Sequence, residues 1–182
     1  KEIYALVIGS AQISTRLDME DRNTCVLFGD GAGATVIELK EGTELYSVWG
    51  SEGLTDVLGC TGQNMGKAHI FMDGQKTFKN AVKRMGSAAA EVLEQSGYTM
   101  DDIDYVVCHQ ANERIIDAVV KRMDIPEEKV VKVIARYGNT SAASIPITLD
   151  EMYEQGMLEK GNRILLATFG AGFTWASMIV EI

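Results

Sequence analysis

The chain has 182 residues, of which 46% are hydrophobic and 24% charged, and its formal net charge at pH 7 is −9. This composition is ordinary for a globular protein, and the acidic balance argues against nucleic acid as a main partner. No apolar run approaches the roughly 20 residues that a membrane-spanning helix needs, so no membrane association is expected. Three scattered cysteines without a CxxC pair favour free thiols and a cytoplasmic location, and two histidines without a cysteine cluster predict no metal site.

The N-terminal part of the chain is predicted to form strands and a glycine-rich turn. The run IYALVIGS, residues 3–10, has the pattern of a short buried strand. The segment TCVLFGDGAGATVIEL, residues 24–39, is an apolar run, a glycine cluster and a β-branched run, which predicts a hairpin. Its GDGAGA fits the dinucleotide fingerprint formally, but that fingerprint needs a following helix. A tight turn with unusual glycine backbone angles is therefore predicted instead.

Further along the chain, helix and strand patterns alternate. Apolar residues recur with a helical period over residues 76–96 and stop at Gly97. Four more segments carry a strand, helix, strand and helix pattern in turn: IDYVVCH, ERIIDAVVKRM, KVVKVI and residues 141–155. A second hairpin, RILLATFGAGFTWASMIVEI, resembles the first one. The pattern predicts an α/β fold with a mixed sheet covered by helices, built from two similar halves. The glycine-rich stretch 50–67 is the segment expected to be most flexible.

Cys108 and His109 are neighbours at the end of a predicted strand. Adjacent strand residues point to opposite faces, whereas a thiol nucleophile and its base must lie within about 3 Å. Cys108 is therefore predicted to be a small buried hydrophobe. His109 could be a core histidine, but its position before a polar turn and a helix favours an active site. Asn139 has a similar position, where the alternative is a helix cap; the two side chains would converge if their strands are neighbours.

Four motifs together, HQANERII, RYGNTSAASIP, FGAGFTW and FGDGAGA, resemble β-ketoacyl-acyl carrier protein synthase III over essentially the whole chain. This family of homodimeric condensing enzymes starts bacterial fatty acid synthesis. The resemblance implies a thiolase-like fold with a mixed five-stranded sheet covered by helices. It also implies that residues 1–45 are the terminal strands of the N-terminal half of that fold, and residues 46–182 the complete C-terminal half.

The resemblance further implies an acyltransferase that condenses an acyl-CoA primer with malonyl-acyl carrier protein by decarboxylating Claisen chemistry. Coenzyme A and carrier-protein thioesters are its substrates, and no cofactor is implied. His109 and Asn139 match the two donors that stabilise negative charge on the malonyl thioester oxygen. The backbone N–H of Ala171, where relatives often carry glycine, matches a donor for the second oxyanion. Phe169 matches the wall of the site.

Other matching positions concern substrate entry. Gly74 and Asn112 match the pantetheine channel, although a turn glycine and a helix-start asparagine explain them equally well. Four cationic residues match the surface that docks the acyl carrier protein: Lys79, Arg114, Lys121 and Arg122. Such a cluster is usually only a solvated face, but in an acidic chain it suits an acidic partner. Glu113, where relatives often have an apolar residue, weakens this positive field.

No segment matches the one that carries the family's nucleophilic cysteine. We therefore expect a piece of a longer protein that lacks the nucleophile and is inactive in condensation alone. Its strands, apolar on both faces, predict pairing with the missing N-terminal half or a second copy. Two alternatives stay open. One is a related condensing enzyme of the quinolone, polyketide or hydroxymethylglutaryl-CoA type, and the other is a non-catalytic domain that binds carrier protein.

Overall fold

The computed structural model describes residues 3–61 and 69–182, so residues 62–67 of the glycine-rich stretch lie outside the described ranges. The strands in these ranges are β1 (Ile3–Ala11), β2 (Gly31–Leu39), β3 (Tyr46–Ser51), β4 (Leu58–Cys60), β5 (Ile70–Met72), β6 (Tyr105–Cys108), β7 (Arg163–Gly170) and β8 (Thr174–Glu181). The α-helices are α1 (Gly74–Ser96), α2 (Glu113–Met123), α3 (Ile134–Tyr137) and α4 (Ser144–Glu154).

The main sheet is mixed, as the sequence predicts, with the strand order β3-β8-β7-β6. β7 and β8 form the predicted hairpin, in register from Arg163↔Glu181 to Gly170↔Thr174. β6 runs parallel to β7, and β3 runs antiparallel to β8. Because β6 and β7 are parallel, their carboxyl ends meet at one edge of the sheet, which brings His109 and Phe169 into the same region.

The sheet has four strands in the described residues, and the prediction of five was wrong in this detail. The segment KVVKVI makes one bridge, Val106↔Val130, and then turns into α3. The buried side chain of Gln110 makes hydrogen bonds to backbone groups of this segment that a neighbouring strand would otherwise make. Its Nε2 donates to the carbonyls of Cys108 (2.8 Å) and Val131 (3.3 Å), and its Oε1 accepts from the N–H groups of Val133 and Ile134.

Helices cover both faces of the sheet. α1 begins at an Asp73 cap that accepts from the Lys76 N–H, and it ends at Gly97 with φ 73°, a left-handed cap that glycine adopts without strain. α1 and α2 pack on one face around Met85 and Ile116, while α4 packs on the other around Met152. Pro146 lies in the first turn of α4, where its missing N–H costs nothing.

β1 and β2 form a separate antiparallel pair, called the β1–β2 ribbon, which lies against α4. The predicted 24–39 hairpin was wrong, because residues 22–27 are turns and β2 pairs with β1 instead. Gly31 and Gly33 lie within β2 and have no positive φ. They are needed for close approach: a Cβ on Gly33 would lie 2.7 Å from the Pro146 Cβ, and one on Gly9 would collide with the Ala142 carbonyl.

The ribbon leaves much apolar surface open to solvent. Leu6, Ile8 and Val36 are 63%, 64% and 67% exposed, and Trp49 on β3 is 80% exposed. A patch of this kind usually marks an interaction surface. In the part of the chain that the structure describes, none of the helices is both long and apolar enough to cross a membrane.

Candidate active site

A cavity of about 1020 Å³ opens where β6 and β7 end. Its wall contains most of the residues singled out from the sequence: Gly74, His109, Asn112, Arg114, Asn139, Phe169 and Ala171. Three of the four cationic residues, Lys79, Lys121 and Arg122, lie outside the wall. The cavity therefore gathers the predicted donors, the oxyanion turn, the channel positions and Arg114, while the other three cationic residues lie away from it.

His109 follows β6 and is held in place by its backbone, by a hydrogen bond at its ring nitrogen and by one aromatic contact. Its N–H donates to the Ala167 carbonyl at 2.8 Å, which extends the pairing of β6 with β7 by one residue. The ring Nδ1 lies 2.6 Å from Ser144 Oγ, and the ring packs edge-on against Phe169 with centroids 5.5 Å apart. The side chain is 9% exposed, and burial lowers the pKa of His109 from 6.5 to about 4. The imidazole is therefore neutral at physiological pH.

Asn139 is also buried, and the oxygen and nitrogen of its side-chain amide differ in their hydrogen bonding. The backbone is fixed by a bridge to Phe28, in which Asn139 N donates to Leu27 and its carbonyl accepts from Gly29, both at 2.9 Å. Its side-chain Oδ1 accepts from the Ser141 N–H at 2.9 Å. This contact closes a local turn and is not the helix cap predicted as the alternative, because Thr140 occupies the cap position of the 3-10 turn Ser141–Ala143 and Ala143 occupies that of α4. It uses only the oxygen of the amide. The Nδ2 group has no acceptor among the described residues and is left as a donor on the cavity wall.

Ala171 and Phe169 come from the β7–β8 hairpin. Phe169 is stacked on Phe173 with centroids 5.3 Å apart, which makes a rigid apolar wall beside His109. Ala171 lies in the turn itself, and its N–H makes no hydrogen bond to the residues that the structure describes. A free backbone N–H in a tight turn on the cavity wall has the character of an oxyanion donor.

Asn112 and Gly74 line the cavity, and each lies at the start of a helix. The Asn112 side chain caps α2 by accepting from the Arg114 N–H at 3.0 Å, so the simpler explanation of this residue holds as well. A Cβ on Gly74 would meet no atom within 4 Å, so this glycine faces open space on the cavity side. Their assignment to a pantetheine channel stays a prediction.

The cationic residues follow α2 and α1 rather than forming one patch at the entrance. Arg114 lies in the first turn of α2 on the cavity wall, and Lys121 and Arg122 lie in its last turn. Seven residues of helix separate Arg114 from Lys121, which is about 10 Å. The aliphatic part of Arg122 rests on Gly86 of α1. Within the described residues, none of these side chains nor Lys79 has an ion-pair partner, so their charges are available to an acidic ligand.

The three cysteines lie in three different environments. Cys108 is fully buried in the core, and burial raises the pKa of its thiol to about 12, which keeps it protonated and inert. Cys25 is partly buried in the turns before β2, and Cys60 is exposed on β4. Of the three, Cys60 is on the cavity wall.

Sequence reasoning missed three polar residues around the site. Gln110 ties the end of β6 to the start of α3, Ser144 contacts His109, and Ser141 adopts a left-handed backbone with φ 54°. A non-glycine residue in that conformation is uncommon and stores strain, which often accompanies a functional site. The chain offered no signal for these contacts, because each depends on two segments more than 20 residues apart or on a backbone angle.

The low pKa of His109 predicts a pH-dependent stability. Below pH 6.5 the unfolded chain takes up a proton on this histidine that the folded chain resists down to about pH 4. The free energy of unfolding therefore decreases as pH falls through this window, by about 2 to 3 kcal/mol between pH 6.5 and 4.5. Urea unfolding at pH 7 and pH 4.5 measures it. His109→Gln has no imidazole to protonate, so we expect its free energy of unfolding to decrease by about 2 to 3 kcal/mol less than that of the wild type over this pH range. An equal decrease in both proteins would contradict the burial of a neutral imidazole.

Among the described residues, no group of three or more histidine, cysteine, aspartate or glutamate side chains is placed to hold a metal ion. The cavity instead presents neutral N–H donors, apolar walls and one arginine. That set suits a ligand on which negative charge develops in a desolvated setting.

Comparison with known proteins agrees with this geometry. The family profile described as 3-oxoacyl-[acyl-carrier-protein (ACP)] synthase III C terminal matches residues 93–182, and the profile for 3-oxoacyl-[acyl-carrier-protein (ACP)] synthase III matches residues 3–53. β-Ketoacyl-[acyl-carrier-protein] synthase III of Caldanaerobacter subterraneus is 46% identical over 192 residues, covering 97% of this chain and 57% of that protein. The enzyme of the same name from Wolbachia pipientis wMel is 43% identical, and the match covers 98% of this chain and 58% of that protein.

Solved structures give the same result. The 3-oxoacyl-(acyl carrier protein) synthase III of Pseudomonas aeruginosa superposes with a TM-score of 0.91 at 39% identity, covering 98% of this chain and 57% of that one. The Aquifex aeolicus enzyme superposes with a TM-score of 0.89 at 41% identity, and the match covers 98% of this chain and 58% of that one. The chain thus spans somewhat less than three fifths of the length of these relatives. The chain belongs to the β-ketoacyl-acyl carrier protein synthase III family and has its thiolase-like fold.

Proposed function

We propose that the cavity is the malonyl site of a β-ketoacyl-acyl carrier protein synthase III, in which His109 and Asn139 stabilise the enolate formed by decarboxylation. One observation carries this proposal. Two buried, neutral N–H donors from different segments line one cavity with an apolar wall. A histidine kept neutral by burial and an amide that cannot ionise can both donate to an oxyanion without forming an ion pair.

In this reaction the bond between the malonyl α-carbon and its carboxylate breaks, and carbon dioxide leaves. The electron pair of that bond moves into the α-carbon and thioester carbonyl, so negative charge develops on the thioester oxygen. Donors placed in advance, in a site that excludes water, stabilise this charge more than bulk water does. The N–H groups of His109 and Asn139 are those donors. The enolate carbon then attacks an acyl thioester, and the Ala171 N–H stabilises the second oxyanion.

We propose further that the thiol which carries the acyl group is not supplied by this chain. Cys108 is buried and protonated, and Cys25 is absent from the cavity wall. Cys60 is on the wall but is exposed at the end of the three-residue strand β4, whereas His109 and Asn139 are buried. Condensation by this chain alone is therefore not expected, and the acyl thiol belongs to another polypeptide segment.

The expected substrates are acyl-CoA and malonyl-acyl carrier protein, with no cofactor, in a cytoplasmic homodimer. The exposed apolar side chains of the β1–β2 ribbon support an association with the N-terminal half of the fold or a second copy, because exposed apolar surface of this extent favours burial. The division into an N-terminal part at residues 1–45 and a C-terminal half at residues 46–182 stays a prediction.

One relative supports a second candidate. The priming β-ketosynthase of the R1128 polyketide pathway superposes with a TM-score of 0.92 at 34% identity. A priming enzyme of polyketide synthesis would use the same decarboxylation site with another acyl primer. Carbon dioxide release from the malonyl carrier proteins of the two pathways, measured in competition with this chain, separates the two.

Intact-mass spectrometry of the chain incubated with acetyl-CoA and malonyl-acyl carrier protein tests the proposal. We expect carbon dioxide loss from the malonyl group above the uncatalysed rate, no acetylation of the chain and no 3-oxoacyl product. Acetyl-Cys60 together with a 3-oxoacyl product would overturn the claim about the thiol. Carrier-protein binding without any decarboxylation would overturn the proposal that the cavity is a malonyl site. It would favour the alternative of a non-catalytic domain that binds carrier protein.

Reversing the charge of Arg114 is expected to weaken carrier-protein binding. Arg114 lies on the cavity wall and has no ion-pair partner among the described residues, so Arg114→Glu replaces an attraction to an acidic carrier protein with a repulsion. The dissociation constant should rise about 10-fold at low salt and less at high salt. Titration calorimetry measures it, and Arg22→Glu, an exposed arginine off the cavity wall, is the matched control. Equal effects of both variants would show that only net charge matters.

A further inference from the structure

Among the described residues, the hydroxyl of Ser144 is the one polar group within hydrogen-bond distance of the His109 ring nitrogen Nδ1. Ser144 is 2% exposed, is the first residue of α4 and does not belong to the cavity wall. Its Oγ has two partners among the described residues, Nδ1 of His109 at 2.6 Å and the backbone N–H of Gln110 at 3.4 Å. Because it lies off the wall, Ser144 is not a nucleophile that a substrate in the cavity could reach.

The two partners fix the direction of the short hydrogen bond. A backbone N–H can only donate, so Oγ accepts from Gln110. The proton of the hydroxyl then has one acceptor within reach in the described structure, which is Nδ1 of His109. A neutral imidazole carries its proton on one nitrogen and accepts at the other. Accepting at Nδ1 therefore requires the proton on Nε2.

We infer that Ser144 is a positioning residue that holds His109 as the Nε2–H tautomer by donating its hydroxyl proton to Nδ1. The opposite ring edge then presents an N–H to the cavity. In the other tautomer the same edge would present a lone pair, which repels a developing oxyanion. The tautomer follows from contacts alone, whereas its consequence for the rate rests on the proposed function. An enzyme histidine held in the wrong tautomer loses most of its catalytic effect.

Nitrogen-15 NMR of the histidine rings tests the inference without any substrate. The chain has only two histidines, so His69→Gln assigns the His109 signals directly. We expect a pyridine-type Nδ1 and a pyrrole-type Nε2 in the wild type. Ser144→Ala should give a mixture of both tautomers, and Ser144→Thr, which keeps the hydroxyl, should restore the Nε2–H form. Carbon dioxide release from malonyl-acyl carrier protein should fall roughly 10-fold in Ser144→Ala, less than on loss of the donor itself.

Thr148→Val is the matched control. Thr148 is another fully buried hydroxyl of α4, but it donates to the Ser144 carbonyl at 2.7 Å and does not contact His109. This variant should leave the His109 tautomer unchanged. A protonated Nδ1 in the wild type, or an unchanged tautomer in a folded Ser144→Ala, would overturn the inference. A wild type with the expected tautomer but no decarboxylation would overturn the proposed function instead, and the role of Ser144 in positioning the ring would stand.

Discussion

Asn139→Asp is expected to slow decarboxylation of malonyl-acyl carrier protein by a factor of about 10² to 10³. The aspartate keeps an oxygen for the Ser141 N–H, so the local turn is preserved. It replaces the free Nδ2 donor with an acceptor, which removes one hydrogen bond to the enolate and adds repulsion. Loss of the other donor in His109→Ala should cost a similar factor. The rate of carbon dioxide release from labelled malonyl groups measures both.

Asn80→Asp provides the control for this prediction. Asn80 lies on α1 outside the cavity wall, and its amide donates to the Lys76 carbonyl of the same helix. The substitution introduces the same charge change without touching the site, so the rate should change less than 2-fold, as expected for a surface position. A rate in Asn139→Asp close to that of the control would show that the amide of Asn139 has no part in the reaction.

Gln110→Met is expected to lower the free energy of unfolding by about 3 to 5 kcal/mol. The side chain is 1% exposed and makes four hydrogen bonds to backbone groups of Cys108, Val131, Val133 and Ile134. Methionine has a similar length but neither donates nor accepts. Its presence leaves buried N–H and carbonyl groups without partners, each of which carries a desolvation penalty. Urea denaturation followed by circular dichroism measures the change.

Gln155→Met is the matched control for Gln110→Met. Gln155 is exposed at the end of α4, and its amide contacts Glu151 at 3.3 Å. Its replacement should change stability by less than about 0.5 kcal/mol, because water can replace the lost contact. If Gln110→Met were no more destabilising than this control, the segment before α3 would be held by something other than the glutamine side chain.

Much of the architecture could be predicted from local pattern. The helical period of residues 76–96, the Gly97 stop and the β7–β8 hairpin were confirmed almost to the residue. These elements have strong signals because each is determined by its own amphipathic spacing and its own end signals. The mixed sheet covered by helices follows from their order along the chain, and it was confirmed as well.

Two predictions failed where tertiary contacts override local pattern. Gly31 and Gly33 were interpreted as a turn because glycine favours turns, yet their role is to let the ribbon approach Thr140, Pro146 and Ile147. The apolar KVVKVI segment was interpreted as a strand, but Gln110 takes up the backbone groups of Val133 and Ile134 that a ladder would use. A sequence pattern does not reveal which distant segment fills such a space.

Only part of the site could be predicted from the sequence. His109 and Asn139 could be singled out because each follows an apolar run and precedes a helix. Their presence on one cavity wall depends on the parallel pairing of β6 with β7 and on the bridge from Asn139 to Phe28. The Ser144 contact to His109 spans 35 residues and carries no local signature.

Binding of a malonyl-CoA analogue that cannot lose carbon dioxide, followed by nitrogen-15 NMR of the side chains, tests the central claim most directly. The account predicts that the His109 ring N–H and the Asn139 side-chain amide both shift, with one common dissociation constant, because both donate to the same thioester oxygen. Binding that shifts backbone signals near Arg114 but leaves both donors unmoved would contradict it.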